Sequence, residues 1–145
     1  MTEVDFHTGV ADPVGYACRL LRKAVRQGVR VQVTAPPEVL TALDRSLWTF
    51  DQSDFVPHVR MPGTHPAVAR RTPVWLTPTV LHEEAPNVLV NLGVAVPTEV
   101  SALERVIEIV SSAPDEAARG RQRWREYQAL GLPLKHHLEP GPARG

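Results

Sequence analysis

The chain is predicted to be a single α/β domain of three layers, with helices on both sides of a mostly parallel sheet. Three observations predict it. Strand-like and helix-like stretches alternate from the N-terminus onwards, the order that builds parallel sheets. Val74-Trp75-Leu76 and Val88-Leu89-Val90-Asn91-Leu92 are short, nearly continuous apolar runs, as expected of central strands covered on both faces. Finally, 145 residues of ordinary hydrophobic content suffice for one core but not two. The domain is expected to span residues 1–138, with 139–145 a disordered tail.

Taken in order, Val4 to His7 is a short strand, and Asp12-Pro13 supplies an N-cap with proline at the first helical position. From Val14 the residues Ala17, Cys18, Leu21, Ala24 and Val25 recur at helical spacing until Gly28 ends the helix. Arg19, Arg22, Lys23 and Arg26 fill its other face, which reads as a solvated surface. Val29 to Val33 alternates like a strand, and Ala35-Pro36-Pro37 opens a second helix with Leu40, Leu43 and Leu47 inward. Leu47 to His58, LWTFDQSDFVPH, gathers Trp48, Phe50 and Phe55 in a chain with only 6% aromatic residues. It reads as helix end, polar loop and extended segment, because the residue before Pro57 is pushed away from helical geometry. Arg60 to Pro73, with four prolines and glycines and little periodicity, reads as a mobile loop. A helix is expected from Thr98 to Ser111, with Val100, Leu103, Val106, Ile107 and Val110 on its inner stripe. Pro114 opens a last helix that runs to Leu130, closed by Gly131 with Pro133 beyond.

Composition narrows function. Formal net charge is zero, so no global field draws the molecule to nucleic acid or to an acidic membrane, and any such attraction is local. No apolar run approaches the ~20 residues of a membrane span, and MTEVDFHTGV lacks the basic and apolar regions of a secretory signal, so a cytoplasmic protein is expected. The single cysteine, Cys18, sits on an apolar helix face and reads as an inert core residue. Neither GxxxxGK[ST] nor GxGxxG follows any strand. His7, His58, His65, His82, His136 and His137 are scattered without metal-ligand spacing. Ser46, Ser53, Ser101, Ser111 and Ser112 lie outside any nucleophile elbow. A binding module with no cofactor and no metal is therefore expected, the competing class being a small α/β enzyme or nucleotide-binding protein.

Two stretches offer binding surfaces. Trp48 and Phe55 either lock a connecting loop onto the core or anchor a partner. On the last helix, Arg121, Trp124, Arg125 and Gln128 fall at i, i+3, i+4 and i+7, on one face. Cations flanking a ring suit an acidic peptide with an aromatic end, and the alternative is an amphipathic helix with Trp124 packed. Tyr127 and Leu130 lie round the helix and suit the core.

LWTFDQSDFVPH, followed in order by NVLVNLG, RVIEIVS and RGRQRWREYQALG, resembles the chi subunit of the bacterial DNA polymerase III holoenzyme, from Val4 to about His137. The resemblance implies a nucleotide-binding-like topology without a phosphate loop. It further implies a non-catalytic accessory subunit of the clamp-loader assembly that binds the acidic C-terminal tail of single-stranded DNA-binding protein, an aromatic-ended tail with a free carboxylate. Carried over, Val110, Arg121, Trp124 and Arg125 match that site. Trp124 stands in place of a tyrosine. Ala117 and Gln128 stand where the pattern has basic residues, which leaves less charge unless Arg119 or Arg123 compensates. Trp48, Phe55 and Pro57 match the surface that holds the psi subunit or, in its place, a helicase. A monomer within a heteromeric complex is implied, with DNA reached mostly indirectly.

Overall fold

In a computed structural model describing residues 1–49 and 55–139, the chain runs β1 (Glu3–Val10), α1 (Pro13–Arg26), β2 (Val31–Thr34), α2 (Pro37–Thr49), β3 (His58–Arg60), α3 (Pro66–Arg71), β4 (Val74–Thr77), β5 (Val88–Asn91), a 3-10 turn (Val100–Ala102), β6 (Arg105–Ser111), α4 (Pro114–Ala129) and β7 (Leu134–Leu138). Residues 50–54, which include Phe50, Ser53 and the expected polar loop, and residues 140–145 lie outside the described residues. The described strands make one seven-stranded sheet in the order β3-β4-β2-β5-β6-β1-β7. Every neighbouring pair is parallel.

Period-two alternation sorts each strand's side chains onto two faces. Val31, Val33, Val74, Leu76, Val90 and Ile109 join Ala17, Cys18 and Leu21 of α1 and Leu40, Leu43 and Leu47 of α2 in one core. Val4, Phe6, Leu89, Val106 and Val110 join Val100, Leu103 and Tyr127 in the other. Each buried leucine contributes roughly 1.5–3 kcal/mol, so both cores matter to a fold of ordinary stability. Burial pushes the Cys18 thiol up to about 11, which keeps it protonated and inert. The expected start of α1 is present: the Asp12 carboxylate accepts from Gly15 N at 3.1 Å, and Pro13 occupies the first turn.

Most polar groups beneath the α4 face are hydrogen-bonded. The Gln32 amide clamps the crossover after β4, donating to Leu81 O (2.7 Å) and Pro86 O (2.8 Å) and accepting from Leu81 N (2.9 Å). Glu108, fully buried, accepts from Arg123 Nε (2.9 Å), Asn91 Nδ2 (2.9 Å) and Tyr127 OH (2.6 Å). Burial pushes its carboxyl up, opposed first by the Arg123 guanidinium and then by the Tyr127 and Asn91 hydrogen bonds. This network pins α4 to the sheet.

Three sequence expectations are corrected, and one unassigned segment gains an element. The helix expected over 98–111 is a single 3-10 turn followed by strand β6. RVIEIVS is covered on both faces, Val106, Glu108 and Val110 by α4 and Ile107 and Ile109 by α1. Its apolar run therefore lacks strict alternation and mimics a helical stripe. The supposed mobile loop 60–73 contains α3, packed down by Trp75 Nε1 and Arg30, both donating to Ala69 O. Its N-cap is a histidine, His65 Nδ1 accepting from Ala67 N at 3.1 Å, outside the usual capping set. The segment after α4, to which the sequence assigns no element, forms edge strand β7 beside β1. Leu130, expected in the core, is 56% exposed, whereas Tyr127 is fully buried. Among the described residues no helix is long and apolar enough to cross a membrane.

Candidate functional site

β6 ends at Ser111, the chain turns through Ala113, whose N–H donates to Ser111 Oγ (3.1 Å), and Pro114 starts α4 back over the sheet. Gly120 is what lets the helix come close. A Cβ there would stand 2.7 Å from Val110 Cγ1, inside any real contact distance, so the absence of a side chain lowers α4 onto β6. Beside this approach opens a cavity of about 490 Å³ whose walls come from four elements: Phe6, Thr8 and Gly9 of β1, Val110 and Ser111 of β6, Ala117, Gly120, Arg121 and Trp124 of α4, and His136 of β7, with Ser112 between β6 and α4.

The floor is aromatic and the rim polar. Trp124 meets Phe6 edge-to-face at 5.1 Å between ring centroids, and Phe6 meets Tyr127 at 5.8 Å. Such pairs fix ring orientation as well as burying area. Trp124 is half-buried and presents the rest of its indole to the cavity. Arg121 is exposed, and no carboxylate is among the described lining residues. The cavity thus combines apolar walls with an exposed guanidinium.

Of the four residues that the family resemblance brings to the tail site, Val110, Arg121 and Trp124 line this cavity. Arg125 does not. It is exposed and donates to Gln122 Oε1 at 2.8 Å. Neither Arg119 nor Arg123 supplies the charge missing at Ala117 and Gln128. Arg119 is bound to Glu116, and Arg123 is buried against Glu108 with Nη2 left unpartnered. Sequence reasoning missed Phe6, Thr8, Gly9 and His136. They reach α4 only through the β1-β6 and β1-β7 pairings.

The second surface lies at the opposite sheet edge. Trp48 and Phe55 are 62% and 47% exposed, with ring centroids 5.1 Å apart. His58, itself buried, supports them: its ring lies 5.2 Å from that of Trp48, and its two nitrogens contact Val56 O (2.7 Å) and Asp44 Oδ1 (2.8 Å). Pro57 is half-buried between them in sequence. Two touching aromatics left in water on a rigid support form the kind of exposed apolar patch that marks interfaces.

A third crevice, of about 340 Å³, is lined by Asp12, Glu38, Leu92, Gly93 and Glu116 at the carboxyl ends of the strands, where connections from β2 and β5 diverge. Folds of this kind seat nucleotides there, but three carboxylates repel phosphate. Among the described residues no cluster of three His, Cys, Asp or Glu could hold a metal ion. Other histidines are engaged locally, His65 as the α3 cap and His82 Nε2 at 3.2 Å from Thr98 O.

The all-parallel sheet, with an acidic crevice at its carboxyl ends and, at α4, a groove offering apolar walls and a guanidinium, defines an α/β domain of the doubly wound class. The profile of the family described as DNA polymerase III chi subunit, HolC, matches residues 1–135. A relative, the DNA polymerase III subunit chi of Pseudomonas aeruginosa, is 34% identical over 148 aligned positions that cover 97% of this chain and 99% of the relative. The chain belongs to the DNA polymerase III chi subunit family, which places it in DNA replication.

Proposed function

We propose that the chain is a non-catalytic accessory subunit of the DNA polymerase III clamp-loader assembly, bridging two partners. The cavity at α4 takes the acidic C-terminal tail of single-stranded DNA-binding protein. Trp48, Phe55 and Pro57 hold the psi subunit, or a helicase in its place. DNA is reached mostly through the tail-bearing partner, consistent with zero net charge. The observation that carries this reading is the meeting of Arg121 and Trp124 over the apolar Phe6 and Val110 walls in one cavity. A tail ending in an aromatic residue with a free carboxylate would place its ring on the apolar walls and its charge at the guanidinium.

Titration of a fluorescent tail peptide tests it. Arg121→Ala should weaken binding by about 2 kcal/mol, roughly thirtyfold, if the pair is desolvated in the complex. Ala117→Lys should tighten it, because Ala117 lines the same wall. Raising salt from 0.1 to 1 M, which shortens the Debye length from about 10 to about 3 Å, should weaken the charged part alone. Binding that is indifferent both to Arg121→Ala and to removal of the peptide's terminal aromatic residue would overturn the assignment.

A further inference from the structure

Among the described residues the tail-binding cavity draws one permanent cation, Arg121, from α4, yet an edge strand absent from the sequence-level picture adds a second basic group, His136 of β7. We infer that His136 is the pocket's second anion-binding group and makes capture of a carboxylate-ended ligand pH-dependent, tighter in mild acid than in mild alkali. The inference rests on the cavity being the seat of an acidic tail, and it names how that seat is regulated.

Geometry places the ring for this role. His136 Nε2 lies 2.5 Å from Thr8 Oγ1, and its centroid lies 6.1 Å from that of Trp124 at an interplanar angle of 67°. A hydroxyl both donates and accepts, so Thr8 satisfies Nε2 whether the imidazole is neutral or protonated. Nδ1 is then the nitrogen left for a ligand. In the imidazolium both nitrogens donate: Nε2–H to Thr8, Nδ1–H to a carboxylate, a charge-assisted bond stronger than its neutral counterpart.

The surroundings set the sign. α4 brings Arg121 to the same cavity, while Arg125, one turn on, is bonded to Gln122. β1 and β6 contribute only uncharged groups, Phe6, Thr8, Val110 and Ser111. Within β7, Lys135 and His137 alternate to the other face, where His137 stacks on His7 at 4.8 Å and Glu139 accepts from Tyr16 OH. Among the described lining residues Arg121 is the other basic group and there is no carboxylate. A bound carboxylate supplies an anion beside the imidazole, so binding takes up a proton and strengthens as pH falls.

The experiment is titration of an acidic, aromatic-ended peptide with a free C-terminal carboxylate at pH 5.5 and pH 8.0, a range in which peptide carboxylates stay ionised. The wild-type chain should bind about fivefold to tenfold more tightly at the lower pH. His136→Asn keeps a partner for Thr8 at an exposed position and should abolish the pH dependence. His137→Asn, on the opposite face, should leave it intact. Persistence of the pH dependence in His136→Asn overturns the inference. So does wild-type binding of equal strength at both pH values, an outcome that leaves the pocket assignment standing. No binding at either pH removes the pocket assignment and this inference together.

Discussion

Arg123→Met should destabilise the fold by an amount that depends on pH in a way that can be worked out in advance. Arg123 Nε is bonded to Glu108 Oε1, and both side chains are buried. Removing one partner of a buried pair typically costs about 3–5 kcal/mol, because the other charge is left uncompensated. Here Glu108 has an escape, since it can fold protonated on Oε1 while Tyr127 and Asn91 still donate to Oε2. Protonating a carboxyl of ordinary value 4.5 costs about 1.36 kcal/mol per pH unit above that value, which caps the charge penalty at about 4.1 kcal/mol at pH 7.5 and about 1.4 kcal/mol at pH 5.5. The sign follows from proton counts. In the variant the native Glu108 carries a proton that the unfolded chain lacks, so stability rises as pH falls towards the unfolded value. Urea denaturation followed by circular dichroism at both pH values gives the variant's deficit relative to wild type. The deficit should shrink at the lower pH, by at most about 2.7 kcal/mol, and by less to the extent that burial already raises the Glu108 carboxyl in the wild type. Glu108→Leu combined with Arg123→Met should recover most of it, because a hydrophobic replacement of a buried pair is often neutral. A deficit that is the same at both pH values, or single costs that simply add in the double variant, would refute the reasoning.

Gly120→Ala should cost about 1–3 kcal/mol, since its Cβ would strike Val110, and Val110→Ala in the same chain should return part of it; thermal or urea unfolding reads both. Phe55→Ala and Trp48→Ala remove exposed rings, so each should shift stability by well under the ~3–5 kcal/mol of a truncated core aromatic while abolishing capture of a psi or helicase partner in a pull-down. Loss of several kcal/mol would make these aromatics core instead. Burial first, and then His137, lowers the proton affinity of His7 from its ordinary 6.5. Its contribution to stability is therefore fully present above about pH 6.5 and lost as pH falls through the lowered native value. His7→Asn should flatten this slope in denaturation midpoints measured from pH 4.5 to 7.5.

Residues whose local pattern and tertiary setting agree were legible. Asp12-Pro13 caps α1, Leu40, Leu43 and Leu47 face inward, and Pro114 opens α4, because each signal is local and points the same way as the packing. β6 was not, since burial on both faces erases the alternation that marks a strand and Glu108 breaks the run with a charge satisfied only by partners on other elements. Strand β7 offers Leu134-Lys135-His136-His137-Leu138, a polar edge whose pairing with β1 spans the length of the chain and leaves no local mark. The same cause divides the site. Arg121 and Trp124 could be found on one helix, and Val110 by family resemblance. Phe6, Thr8 and His136 could not, because parallel pairing rather than spacing brings them together.

The strand order has a consequence of its own. Trp48 and Phe55 rest on His58 of β3, and His136 belongs to β7, so the two surfaces occupy opposite margins of the sheet. Six inter-strand steps of about 4.8 Å separate them, roughly 29 Å across the hydrogen-bonding direction. A packed sheet covered on both faces does not stretch, so it acts as a ruler between whatever its margins hold. Under the proposed function, a ligand released from one margin stays tethered near it through the other, at an effective concentration set by that span rather than by its concentration in bulk. Two individually weak attachments then give one long-lived link, and only for partners whose own connection can cover the distance.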